Sequence, residues 1–464
     1  MAKSKTTVKE ERRELSRRSL IKWSLAAGAA MAIPRWKVFE VLEGSAGKAL
    51  AADASCLPTN RSVHLVAGIG GFAWFQLLWP HHDVALAANN AFAFHAPGQA
   101  TEASGTDRKL VFAPETPFKT LPAVRQMSVF MAGNNETHTE QPQSQTILQG
   151  NSIFAVAAAL QATNPSVIPV VTIGNAPYGS APGAPADSRV GAADQVVGLF
   201  NSAASRAGGL LERAEDAQIY RAHYDAVASL NRAANRSTTT RAYGTAKQAA
   251  SLLGINLADR LAISQEDLDR YGVTPSTRTN VADIARSLII AVKSFQLGLT
   301  SSMVLPAMND DPHGAWDDIP GTVQAVADLG RVFDAFMADL AATPDDSCAG
   351  ATLADNFVMT IHGDTPKTPL ARPVWDDGTP GNSNWVYVMG NGLLKTGWHG
   401  GIDRNGNVRG FDPATGDPIA YDGVATSQAT SAAIAYAIAK GDTRRVSDFA
   451  RGIDIRGITR TVQM

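Results

Sequence analysis

The chain has 464 residues, 45% of them hydrophobic and 18% charged, with 41 Lys and Arg against 43 Asp and Glu. That is enough apolar material for a large core, and a net charge of −2 gives no electrostatic reason to expect a nucleic-acid partner. Its two cysteines, Cys56 and Cys348, lack the spacing of a structural zinc site. In an oxidising compartment they either pair or stay as two free thiols.

The first element is a leader. Ser16-Arg17-Arg18-Ser19-Leu20-Ile21-Lys22 runs into an apolar stretch from Trp23 to Ile33, which Pro34, Arg35 and Lys37 break. A charged start, an arginine pair, a modest apolar run and then small residues around Ala49, Leu50 and Ala51 make a signal peptide of the twin-arginine type. The alternative is a short transmembrane anchor, but the run is too short for a hydrocarbon core of about 30 Å. We therefore expect residues 1–54 to be signal and leader, and 55–464 to be the body. The twin-arginine machinery, which carries folded proteins, becomes the expected partner, and the periplasm or the medium the destination. No later segment is long and apolar enough to span a membrane.

In the body, Ser62 to Ile69 reads as a buried strand with a Gly70-Gly71 turn at its end. The Ala-, Gly-, Thr- and Pro-rich stretch from Ala87 to Pro117 suggests a long surface excursion. Arg125 to Met131 reads as a strand, Phe154 to Leu160 as a helix, and Val167 to Ile173 as a strand of the parallel kind. Residues 195–255 have apolar positions at helical spacing and predict a helical insertion. Val281 to Leu299 and Thr322 to Leu340 predict amphipathic helices, with Trp316 and Asp317 as candidate caps for the second. Ser301 to Leu305 and Asn356 to Ile361 predict strands. This repetition of strand and helix predicts an α/β fold, with a mostly parallel sheet and helices on both faces.

Polar residues cluster just after the predicted strands, where an α/β sheet presents its ligand crevice. They are His81-His82-Asp83, His138, Asp310-Asp311-Pro312-His313 and His362-Gly363-Asp364. Carboxylates and imidazoles converging from several loops suit a divalent metal. Each piece also has a plainer reading. Asp311-Pro312 is a turn signal, His362 and Asp364 suit a hydrogen-bonding pair at a strand end, and His138 suits a solvated loop.

The order of these motifs resembles the exported bacterial family called domain of unknown function 1501, which is related to the alkaline phosphatase and sulfatase superfamily. Gly70-Gly71 with Pro80 and Asp83 resembles that family's first strand exit, Thr137-His138 its S-H, and Asp311-Pro312-His313 its D-x-H. Gly363 to Pro369 resembles G-E-F-G-R-T-P, and Met389-Gly390-Asn391-Gly392 and Gly397-Trp398-His399-Gly400 resemble its later glycine-rich segments. The resemblance implies an alkaline-phosphatase-like fold over most of the chain. It implies metal ligands at Asp311, His313, His138, His362 and Asp364, and an anion- or substrate-binding role for Lys367.

The departures fall on the chemistry. Ala73-Trp74 stands where the family has D-G, Gln76-Leu77 where it has N-T, and Ser383-Asn384 where it has D-H. Alanine and leucine neither ligate a metal nor act as nucleophiles, and lysine for arginine at 367 loses the planar bidentate contact. At most one divalent ion, zinc, manganese or calcium, is then expected. The resulting expectation is an exported scaffold that has lost hydrolysis and serves a binding or structural role at the cell envelope. The alternative is a phosphate- or sulfate-ester hydrolase with a reduced metal site.

Overall fold

The computed structural model describes residues 56–86, 98–133, 147–200 and 257–461, apart from 316, 365 and 369–378, together with 222, 226, 248 and 252. The expected helical insertion lies almost wholly outside these residues, as does His138.

Among the described residues, eight strands form the central sheet: β1 (Arg61–Gly68), β2 (Ser128–Met131), β3 (Val170–Ile173), β4 (Ser188–Val190), β5 (Ser302–Asn309), β6 (Phe357–His362), β7 (Trp385–Met389) and β8 (Gly397–His399). Their spatial order is β8-β2-β7-β6-β1-β5-β3-β4. Only β7 runs against its neighbours β6 and β2; the other pairings are parallel. The expectation of an α/β fold with a mostly parallel sheet holds at this level. A smaller antiparallel sheet, β9 (Gly401–Ile402), β10 (Val408–Phe411) and β11 (Pro418–Ala420), follows β8.

Strand alternation sorts the core into two layers. Val63, Leu65 and Ala67 of β1, with Phe357, Met359 and Ile361 of β6, face one side. They pack under α4 (Thr279–Gln296) and α5 (Ile319–Ala342), and α1 (Phe72–Gln76) joins this layer. Val66 and Val358 face the other side, under α3 (Ile153–Gln161) and α6 (Gly423–Ile438). The long helices α4 and α5 follow their apolar stripes. The cap of α5 is Asp318, whose carboxylate accepts from the Gly321 N–H at 3.0 Å; the expected cap at Asp317 is one residue off.

The stretch from Ala87 to Pro117 is less of a surface excursion than its composition predicts. Among its described residues, Thr101–Glu102 and Val111–Phe112 pair as a short hairpin, and Leu110, Val111 and Ala113 are fully buried.

The N-terminal end of β1 is fixed from several directions. Asn60 donates its backbone N–H to Ile438 and its side-chain amide to Ala437, both at 2.8 Å. Arg61 makes a bidentate pair with buried Asp345 at 2.7 and 3.1 Å, and Asn356 adds a third bond to that carboxylate at 2.8 Å. Desolvation raises the carboxyl's pKa, but the Arg61 and Ser347 contacts outweigh it and hold Asp345 at about 2. Beside this pair Cys56 and Cys348 form a disulfide across 292 residues of sequence.

Candidate functional site

The parallel strands β1, β5 and β6 are adjacent, so their C-terminal exits open onto one edge. The β1 exit turns at Ile69, Gly70 and Gly71. Gly70 has φ +69°, where a side chain is strained, and a Cβ on Gly71 would meet the Met308 carbonyl oxygen at 2.2 Å. Ile69 itself sits at φ +37°, a costly place for a β-branched residue, so the turn is held by its surroundings.

That turn brings three exits together. The Gly70 N–H donates to Oδ2 of buried Asp364 at 2.9 Å. A Cβ on Gly70 would lie 3.1 Å from Oδ1 of Asp311, so the β5 exit is packed on the same residue. Lys367, fully buried, places Nζ 3.8 Å from that Asp311 oxygen. The other Asp311 oxygen takes Nδ1 of His313 at 2.7 Å, while the His313 backbone N–H donates to Oδ1 at 3.2 Å. Both side chains of this pair reach solvent, Asp311 at 33% and His313 at 42% exposure. Asp311, His313, Asp364 and Lys367 therefore share the crevice.

His362 does not join them. Strand alternation turns it to the α3 side of the sheet, where its ring lies 5.0 Å from Phe154 and 6.3 Å from His64. His362 Nε2 and His64 Nδ1 each lie 2.7 Å from the Thr360 hydroxyl. One hydroxyl has one proton, so it donates to one ring and accepts from the other. Desolvation lowers the pKa of both imidazoles, His64 to about 3, and keeps them neutral. As to the other pair weighed from the sequence, buried His81 accepts the Ile402 N–H on Nε2 at 2.9 Å, and His82 meets Asp83 at 3.1 Å.

The positions that depart from the family pattern are occupied in ways that fit their residue types. Ala73 in α1 and Leu77 at its C-terminal cap are buried in the apolar core. Ser383 donates its hydroxyl to the Pro380 carbonyl at 2.6 Å, and Asn384 Oδ1 accepts the Trp385 N–H at 2.9 Å. The rim carries a group that no motif signalled. Trp74 donates Nε1 to the Asp310 carbonyl at 2.9 Å, Arg278 pairs with the Asp310 carboxylate, and its guanidinium lies 4.8 Å from the Trp74 ring centroid. Arg278 comes from the start of α4, and nothing in its local sequence links it to Trp74.

A divalent ion fits these residues poorly. Among the described residues no group of three or more His, Cys, Asp or Glu side chains converges to hold one. The Asp311 oxygens already face His313 and an ammonium. A dication about 4 Å from that ammonium would meet repulsion on the order of 8 kcal/mol at an effective dielectric constant of roughly 20.

Comparison with known proteins places the leader. Residues 14–34 match the TAT (twin-arginine translocation) pathway signal sequence family. No curated protein matches the chain, and no solved structure does. No described helix is long and apolar enough to cross a membrane. The leader is a twin-arginine signal, and the protein is exported across the cytoplasmic membrane to the periplasm or beyond.

Proposed function

We propose that the exported body is an alkaline-phosphatase-like scaffold without hydrolytic activity, serving a binding or structural role at the cell envelope. The motif order from Gly70 to His399 supports the likeness, as does the meeting of the Gly70, Asp311 and Asp364 exits at one sheet edge. The observation that carries the loss of hydrolysis is the state of Asp311. Its two oxygens face His313 and Lys367, while Ala73, Leu77, Ser383 and Asn384 supply no further ligand or nucleophile in its place. Assay of the purified mature protein on aryl phosphate and sulfate esters, with and without added zinc, manganese, magnesium or calcium, tests this reading.

One observation favours the alternative, an ester hydrolase with a reduced site. Asp311 and His313 form a carboxylate-imidazole pair at 2.7 Å that reaches solvent at the C-terminal edge of the sheet. A carboxylate that orients an imidazole is the usual arrangement of a general base. Of the residues such a hydrolase would use, His362 lies on the far side of the sheet, which leaves Asp311, His313 and Asp364 among the described ones.

A further inference from the structure

Lys367 is a fully buried cation facing a carboxylate at the edge of the sheet. Burying an ammonium is costly unless opposite charge surrounds it, and the crevice supplies that charge. Asp311 Oδ1 lies 3.8 Å from Nζ, and Asp364, three residues earlier in the chain, is fully buried and fixed on the Gly70 N–H. Gly70 joins the two carboxylates in space, since it donates to one and would touch the other through a Cβ. Gln76 of α1 donates its amide to the Lys367 carbonyl at 3.1 Å, which anchors the backbone that carries the ammonium.

A divalent ion and an ammonium do the same electrostatic work between converging carboxylates, and they exclude each other from one low-dielectric place. The ammonium is tethered, so its effective concentration there exceeds that of any free ion. We infer that Lys367 is a built-in cation that takes the place of a divalent ion beside Asp311 and Asp364 and keeps the crevice closed to metal. The inference rests on the proposed loss of hydrolysis and extends it, because it says what balances the retained acids.

The test compares the wild-type mature protein with Lys367→Gln and Lys367→Met, two charge-free variants of which the second keeps the length and bulk of the side chain. Each is incubated with zinc chloride, freed of loose ion by gel filtration, and its zinc measured against protein. We expect the wild type to retain almost none, and a folded charge-free variant to retain at least about tenfold more, since removing the ammonium removes the repulsion. Asp311→Asn in the variant background should abolish that gain. A folded variant that takes up no more zinc than the wild type overturns the inference. So does a wild type that binds zinc stoichiometrically and loses it on Asp311→Asn. Because both charge-free variants carry a risk of misfolding, the thermal midpoint of the wild type with and without zinc is a second readout. No shift is expected, and an upward shift that depends on Asp311 overturns the inference. Ester hydrolysis by a metal-free wild type would overturn the proposed function, on which this inference rests, and that outcome is read separately from zinc uptake.

Discussion

The backbone N–H of Gly70 donates to Oδ2 of Asp364 at 2.9 Å, tying the exit of the central strand β1 to the exit of its neighbour β6. Both partners are buried, so the bond has no water to replace it. Asp364→Ala should cost about 1–3 kcal/mol by leaving a buried donor unpaired, more than Asp364→Asn, which keeps an acceptor. Chemical denaturation of the three proteins checks the order. Equal stability of the alanine and asparagine variants would show that the bond does not hold the turn.

The opposite end of β1 depends on covalent and ionic anchors. The disulfide from Cys56 closes a loop of nearly three hundred residues, and the Arg61–Asp345 pair lies beside it. Removing both cysteines by Cys56→Ser and Cys348→Ser should cost about 2–5 kcal/mol. Reductant should lower the thermal midpoint of the wild type and leave that of the double variant unchanged. A wild-type midpoint insensitive to reductant would contradict this.

Stability should fall on mild acidification. His64 and His399 are buried, and desolvation lowers both to about 3; His362 and His81 are lowered in the same direction. In the unfolded chain each titrates near 6.5, so between 6.5 and 3 the unfolded state binds protons that the folded state refuses. At pH about 4.5 each of His64 and His399 should remove about 2.5 kcal/mol of the stability present at pH 7. Asp345 acts at lower pH, because its pKa of about 2 contributes stability that is lost only as pH drops below the unfolded carboxyl value. Unfolding curves from pH 7.5 to 4 should show a steep decline that begins near 6.5. A flat profile over that range would contradict the neutral, buried histidines.

Export should depend on the arginine pair of the leader. Replacing Arg17 and Arg18 by lysine should hold the precursor in the cytoplasm, measured by fractionation. Undiminished export of that double variant would contradict the twin-arginine assignment.

Periodicity made much of the fold legible. The central strands β1, β2, β3, β5 and β6 and the amphipathic helices α4 and α5 appear within a few residues of where alternation and apolar stripes put them, because burial on defined faces writes itself into the sequence. Helix α6 was not legible. Its sequence from Gly423 to Ile438 is Ala-, Ser- and Thr-rich and buried on most sides, so it has no apolar stripe. The strands β4, β7 and β8 and the small sheet β9–β11 were missed because their runs, of two to five residues, are too short to show a period. At the site, strand-exit logic put Asp311, His313 and Asp364 at one edge, where the structure brings them together, whereas Lys367 came only from the family resemblance. It misplaced His362, because a residue at the end of a strand still obeys the alternation of that strand. It also missed Arg278 and Trp74, which meet only through tertiary packing.

The central claim is that the crevice no longer performs ester hydrolysis, and initial rates on aryl phosphate and sulfate esters test it most directly. The assay uses the purified mature protein, Asp311→Asn and His313→Ala, each with and without zinc, manganese, magnesium or calcium. The account predicts negligible turnover by the wild type, and any trace rate equal in all three proteins. A robust wild-type rate that disappears in both variants would contradict it and establish the hydrolase.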